Sequence, residues 1–304
     1  MNKKIIITGA TGLIGRELAR RLIERDDEVY ILSRSPKRAE VLVPRAEEYV
    51  SWEPTNDGLE RFISGADAVI HLAGENVMAR RWSEDHKQKV KTSRVESTRA
   101  LVNAIDNVDK KPAVFICASA TGYYGTSEDK LFDENSPAGY DFLADVTSEW
   151  ENEAAKVKDS GIRYVGIRTG IVLSKYGGAL ARMLTPFKYF VGGPLGNGTQ
   201  WFPWIHINDI VRLYIYALDN SNVSGILNGV APQNVTMKEF CKVLGKAMRR
   251  PSVFNVPEFA LRLLFGEGAG VLVKGAKVNP KRTLEAGFRF EFESVDEALR
   301  NLIA

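Results

Sequence analysis

The sequence predicts an α/β chain built on a doubly wound parallel sheet, with a smaller lobe at its C-terminal end. Three observations carry this. From Lys4 to Thr169, short strand-like runs alternate without interruption with helix-like segments, which calls for right-handed crossovers and helices on both faces of the sheet. At the head of that alternation stands Thr8-Gly9-Ala10-Thr11-Gly12-Leu13-Ile14-Gly15, a glycine turn between a strand and a helix. Beyond Gly170, glycine-rich loops interrupt the pattern and lead into a second, helical region.

The run Lys4 to Thr8 is short, β-branched and bounded by glycine, as expected of a strand buried on both faces. Behind it, Leu13, Ile14, Leu18, Leu22 and Ile23 recur at helical spacing. The turn between them is of the Rossmann type. Gly9 can take the positive φ of a sharp turn, Gly12 lets a pyrophosphate approach the backbone, and Gly15 lets the helix pack close to the strand. With Thr11, Leu13 and Ile14 between the glycines, the loop offers free N–H groups and the positive end of a helix dipole to a phosphate. The competing reading is a purely structural glycine turn.

Glu28 to Ser33 reads as the second strand, and the residue past its end selects the coenzyme. An acidic side chain there would hold the ribose 2′-hydroxyl of NAD. This chain has Ser33-Arg34-Ser35 with Lys37 and Arg38 behind, and a guanidinium suits a 2′-phosphate, so NADP(H) is preferred over NAD(H). A solvated basic turn is the alternative.

Tyr49 to Trp52 is a short third strand and Ala68 to Leu72 a fourth, which runs into Ala73-Gly74-Glu75-Asn76. Leu72, Ala73 and Gly74 can lie against adenosine and ribose, while Glu75 and Asn76 point into the crevice beyond the strand ends. A helix spans about Ser83 to Ile105, with Ser83 as N-cap. Ala113 to Ala118 is the fifth strand and delivers Ser119 to Gly125 into the same crevice. A helix from Asp141 to Lys158 and a sixth strand from Arg163 to Thr169 follow. Loops near 175–200 frame one helix, Leu180 to Phe190, and have the composition of substrate loops. Trp201 to Ile207 reads as a strand, Asn208 to Leu218 as a helix, and Gly225 to Val230 as a return to the core. Helices near Thr236 to Met248, Pro257 to Phe265 and Val295 to Ile303 complete the chain. The expected division is a dinucleotide domain over 1–230 and a small lobe over 231–304 packed on it, since no linker separates them.

The 304 residues carry a net charge of only +3, too little to argue for nucleic acid or an anionic membrane surface as partner. No stretch approaches a transmembrane length, and the apolar run after Lys3-Lys4 breaks at Thr8-Gly9 before it could serve as a signal peptide. Cys117 and Cys241 have neither metal-ligand nor redox spacing, so they read as buried small hydrophobes and no metal is expected. A cytoplasmic protein with a small-molecule substrate is the expectation, and a homodimer is admitted.

The glycine fingerprint, His71-Leu72-Ala73, Ser119 to Gly125 and Trp204-Ile205-His206-Ile207-Asn208-Asp209 together resemble an extended short-chain dehydrogenase/reductase of the nucleotide-sugar epimerase and dehydratase superfamily. Leu72 to Asn76, Gly122-Tyr123-Tyr124, Trp150-Glu151, Phe202 to His206 and Pro280-Lys281-Arg282-Thr283 are similar to the subgroup called "epimerase family protein", which carries a small C-terminal domain of unknown function. The resemblance implies an NADP site using Gly9, Gly12, Gly15, Ser33, Arg34, Leu72, Ala73, Ile171 and Val172. It also implies that Arg94, at the place of an asparagine in relatives, reaches a coenzyme phosphate.

Catalytic members use a tyrosine as acid/base, a lysine four residues later and a serine or threonine on the substrate oxygen. None of the ten tyrosines here has that lysine. The expected helix puts either Phe142 and Val146 or Leu143 and Thr147 in their place, and the serine position falls on Ala120 beside Ser119 and Thr121. The remaining candidates are Tyr124, or Tyr123, as proton donor and Ser119 as the oxygen ligand, with Glu75 or His206 as a second acid and Trp204 on the pocket wall. The function expected is hydride transfer at nicotinamide C4 by an oxidoreductase or epimerase-like enzyme; the alternative is a catalytically silent NADP(H) sensor.

Overall fold

Strands β1 (Lys4–Thr8), β2 (Glu28–Ser33) and β3 (Glu48–Ser51) alternate with helices α1 (Leu13–Glu24), α2 (Pro36–Leu42) and α3 (Glu60–Ile63) in a computed structural model that describes residues 2–54 and 58–303. Then come β4 (Ala68–His71), α4 (Glu84–Asp106), β5 (Val114–Ala120), the short β6 (Leu131–Phe132), α5 (Phe142–Ala155) and β7 (Arg163–Thr169). The chain continues through β8 (Ile171–Leu173), α6 (Gly178–Lys188), β9 (Trp204–His206), α7 (Ile207–Asp219) and β10 (Gly225–Gly229). It closes with α8 (Met237–Met248), α9 (Glu258–Phe265), α10 (Gly270–Val273), β11 (Lys277–Val278), α11 (Lys281–Glu285) and α12 (Val295–Ile303).

Seven strands form one parallel sheet in the order β10-β7-β5-β4-β1-β2-β3. The two-residue period of each strand divides the core between the two faces. Ile5 and Ile7 of β1, Val114 and Ile116 of β5, and Val165 and Ile167 of β7 pack with Leu18 and Leu22 of α1 and Leu213 of α7. Ile6, Phe115, Cys117 and Tyr164 point the other way, to Leu101 of α4 and Trp150 of α5. Near-continuous apolar strands are therefore what a doubly covered sheet needs.

Ser83 caps α4 through the His86 N–H as expected, and Asp141 caps α5 through that of Ala144. The helix expected to reach Lys158 turns 3₁₀ after Ala155 and stops at left-handed Gly161. The strand expected over Trp201 to Ile207 is confined to β9, since Pro203 offers no N–H and the Phe202 N–H goes to Val235 O. The helix expected to run to Phe190 ends at Lys188, after Pro186, with Phe190 itself left-handed. The two-residue β6 and β11 pair with each other in parallel, a contact with no periodic signature.

The region beyond the sheet has its own core, and it draws on the chain before residue 230 as well as after it. Leu173, Leu180, Phe187, Phe202 and Trp204 pack with Phe240, Leu244, Val295 and Leu299. The loops near 175–200 are thus walls of the smaller lobe as much as additions to the sheet. Buried Asp209, near the start of α7, ties the C-terminal segment down by accepting the N–H groups of Glu291 and Phe292. Among the described residues no helix is long and apolar enough to cross a membrane.

Candidate functional site

The phosphate end of α1 is built open. Gly9 has φ 70°, and its carbonyl takes the Gly12 N–H at 3.0 Å. A Cβ on Gly9 would lie 2.5 Å from the Leu72 carbonyl carbon, and one on Gly15 only 2.3 Å from Gly9 O, so neither position admits a side chain. Gly12 caps the helix with no side-chain bond, and the first turn holds no acidic residue. The leading N–H groups of α1 therefore have no side-chain acceptor of their own, the condition for holding an anion.

The strand end opposite this loop is fixed by a chain of hydrogen bonds that starts from buried Thr8. Ser97 Oγ donates to Ser93 O (2.7 Å) and so accepts from His71 Nε2 (3.2 Å). That leaves His71 Nδ1 to accept the Thr8 hydroxyl (2.6 Å), whose oxygen takes the N–H groups of Leu72 and Ala73 at 3.2 Å each. Burial pushes the His71 pKa down to about 3, so the ring stays neutral. Leu72 and Ala73 are thereby placed beside Gly9.

Arg34 is exposed just past β2, and among the described residues it has no carboxylate within 4 Å, nor do Lys37 and Arg38. Ser33 accepts the Ser35 N–H. Arg94 lies under Gly74 with its guanidinium donating to the carbonyls of Glu75 (3.0 Å) and Val90 (2.9 Å) over the Trp150 ring. Burial lowers its pKa to about 10. Its observed work is to hold the 74–75 turn. The Glu75 N–H donates to Ser93 Oγ, and the Asn76 side chain accepts the Met78 N–H. Ile171 and Val172 follow β7 across Gly170, and Gly177 and Gly178 lie against Leu13.

The end of β5 differs from expectation because the strand runs two residues further, to Ala120. Ser119 is therefore inside the sheet, paired in register with Arg168 of β7, and its side chain follows Phe115 and Cys117 toward α5. There the Ser119 hydroxyl donates to Glu151, which holds Arg168 through two bonds of 2.8 Å. Although burial works against the charge, Glu151 raises the Arg168 pKa. Arg168 Nη1 donates to the Tyr124 hydroxyl (3.0 Å), and that hydroxyl donates to Asn228 Oδ1 (2.7 Å).

Tyr124 is 2% exposed and burial pushes its phenol up to about 12, so it is a member of a closed network rather than an open acid. Tyr123, the half-buried neighbour, is different. Its ring lies over the Arg168 guanidinium, 3.3 Å from centroid to Cζ, and among the described residues its hydroxyl has no hydrogen-bond partner.

The register of α5 is also settled here. A Cβ on Gly122 would touch Leu143 at 3.3 Å and Thr147 Oγ1 at 3.9 Å, so the face turned to the end of β5 carries Leu143, Thr147 and, a turn later, Glu151. Thr147 donates to Leu143 O. The face of α5 turned to Gly122 thus presents an alkyl group and a hydroxyl already bonded within the helix.

Trp204 and His206 lie in the lobe core. Trp204 donates its indole N–H to Gln233 O, and His206 caps α7 by accepting the Asn208 N–H while stacking on Phe292 at 3.9 Å. Burial brings the His206 pKa to about 4. A cleft of about 800 Å³ runs along the outer side of α1, lined by Leu13, Arg16, Tyr176 and His206 among others; neither Ser119 nor Tyr124 lines it. Arg168 and Asn228 lie in no motif, and Trp150-Glu151 gives no sign of the partner Glu151 binds. The one available signal was Arg168 at an inner position of a mostly apolar strand, where a guanidinium needs a buried partner.

A model of the NAD dependent epimerase/dehydratase family matches residues 5–228, and a model of a domain of unknown function, DUF1731, matches 256–302. The chain is similar to the chloroplastic homolog of epimerase family protein SDR39U1 of Arabidopsis thaliana, 44% identical over 98% of this chain and 86% of the relative. It is also similar to epimerase family protein YfhF of Bacillus subtilis, 38% identical over 99% of this chain and 98% of that one. The crystal structure of human epimerase family protein SDR39U1 with NADPH superposes with a TM-score of 0.89 at 35% identity, covering 98% of each chain. UDP-glucose 4-epimerase of Thermotoga maritima, at 18% identity and a TM-score of 0.80 over 100% of this chain and 97% of that one, shares the fold.

Proposed function

The chain belongs to the NAD dependent epimerase/dehydratase family, and from that premise we propose that it is an NADP(H)-dependent oxidoreductase or epimerase-like enzyme acting on a small carbonyl or alcohol. The observation that carries the coenzyme is the uncapped N-terminus of α1, set between glycines that no side chain could replace. Bound there, the coenzyme supplies hydride exchange at nicotinamide C4. Gly9, Gly12 and Gly15 receive the pyrophosphate, and the His71 chain keeps Leu72 and Ala73 in place for the adenosine side. The exposed Arg34 meets the 2′-phosphate and favours NADP(H) over NAD(H).

For the proton, the reading falls on Tyr123. Its phenol is the open one of the pair, and its ring is held in place over the Arg168 guanidinium. Tyr124, Arg168, Glu151 and Ser119 hold that ring from below and act as positioning residues. A second reading, a silent NADP(H) sensor, is favoured by Leu143 and Thr147 at the proton-handling positions.

NADPH fluorescence titration followed by a panel of carbonyl substrates separates the two. Binding with NADPH oxidation, reduced about 10²- to 10⁴-fold by Tyr123→Phe, establishes the enzyme. Binding with no turnover across the panel favours the sensor, and absence of binding overturns both.

A further inference from the structure

The net charge of +3 hides a strong segregation. Between Asp159 and Asp209 the sequence contains no acidic residue, and between Glu239 and Glu258 again none, while both runs carry lysines and arginines. The fold brings the two acid-free runs together. The segment after α6 lies beside the segment after α8: the Phe254 N–H donates to Gly192 O, the Val256 N–H to Pro194 O, and Leu195 bridges Val256 in parallel. The Arg250 guanidinium sits over the Phe190 ring, 4.3 Å from its centroid.

On this surface large apolar groups face water. Tyr189 is 74% exposed, Phe190 52%, Val191 53%, Val253 68% and Phe254 54%. A contiguous apolar group of this kind marks an interaction site rather than ordinary surface. Phe190 adds an independent sign, for it holds φ 63°, a conformation that disfavours a bulky side chain, and still presents its ring to solvent. The cations of the two runs nearest in sequence, Lys188, Lys246, Arg249 and Arg250, have no carboxylate within 4 Å among the described residues, and Arg250 lies on the Phe190 ring.

We propose that this face docks on an anionic lipid bilayer, with the rings of Tyr189, Phe190 and Phe254 entering the headgroup boundary and Lys188, Lys246, Arg249 and Arg250 meeting the lipid charges. Aromatic and aliphatic groups ringed by unpaired cations complement such a surface on both counts. Two acid-free runs side by side argue for a sheet of negative charge as the occupant, since a second copy of this chain would bring the same cations with it.

The test is flotation of the full chain with vesicles of equal parts phosphatidylcholine and phosphatidylglycerol, beside vesicles of phosphatidylcholine alone, at low and high salt. The expected result is capture by the anionic vesicles only, weakened by salt, and reduced about tenfold or more by Phe190→Asn combined with Lys188→Glu. Asparagine suits the left-handed position, so the variant should keep its melting temperature and NADPH affinity. Failure to float with the anionic vesicles at low salt overturns the proposal, as does flotation that the variant leaves unchanged. A concentration-dependent dimer abolished by the same variant, without flotation, assigns the face to a second copy instead.

Discussion

The glycine loop and the end of β5 lie on one parallel sheet and are built on opposite plans. At the loop, donors are left free: α1 has no side-chain cap, no acid in its first turn, and Arg34 stands exposed nearby, without a carboxylate within 4 Å among the described residues. At β5 the polar groups answer one another: Ser119, Glu151, Arg168, Tyr124 and Asn228 form a closed chain of hydrogen bonds. Free donors in a folded protein wait for a ligand, whereas a closed buried network supports the groups around it. The loop end therefore leaves donors exposed, while the end of β5 is a closed scaffold beside which the half-buried Tyr123 lies.

The sharpest way to break this contrast is to open the closed side. Arg168→Met strands Glu151 in the core and is expected to cost about 3–5 kcal/mol in urea unfolding. Replacing Glu151 by leucine in the same chain should recover much of that loss, because the pair is then removed together. A single variant as stable as wild type would mean that the network supports nothing.

On the open side, Arg34→Asp is expected to weaken NADPH about tenfold to a hundredfold in fluorescence titration while sparing NADH. Equal loss of both coenzymes would remove Arg34 from the 2′-phosphate.

Two buried histidines outside the β5 network respond to acid. His71 is pushed to about 3 and His206 to about 4 by burial, against an ordinary 6.5. Below 6.5 the unfolded chain takes up protons that the folded chain refuses. Stability is therefore complete above that pH and falls as the pH drops toward 4 and then 3, by up to about 1.4 kcal/mol per unit for each histidine. Thermal melts across this range should show the slope, and His71→Asn should flatten part of it; a level profile would mean that the ring is not buried neutral.

The smallest effect separates the tyrosines. Tyr124→Phe should lower stability by about 1 kcal/mol through the bonds lost to Asn228 and Arg168, with turnover little changed. Tyr123→Phe should do the reverse. Matching effects from the two would erase the distinction between an open and a closed phenol.

Much of the coenzyme half is legible before folding. The strands from Lys4 to Thr8 and Glu28 to Ser33 coincide with their predicted limits, because apolar periodicity and glycine boundaries are local signals. Ser83 announces α4 for the same reason. Trp201 to Phe202 misled, since an aromatic run looks like a strand whatever its backbone bonds do. The surface beyond α6 was hidden by averaging: a whole-chain charge says nothing about where acids are absent.

The sheet, the glycine turn and the basic residue past β2 are encoded locally, because each depends on side-chain period or backbone freedom within a few residues. Only the tertiary structure decided which tyrosine is open, which register of α5 faces the site, and that Glu151 answers Arg168. Those choices follow from strand register and helix packing, which bring β5, α5, β7 and β10 to one point although Ser119 and Asn228 stand far apart in the chain. A two-residue extension of β5 was enough to turn Ser119 from the crevice toward the helix layer, and no local pattern encodes it.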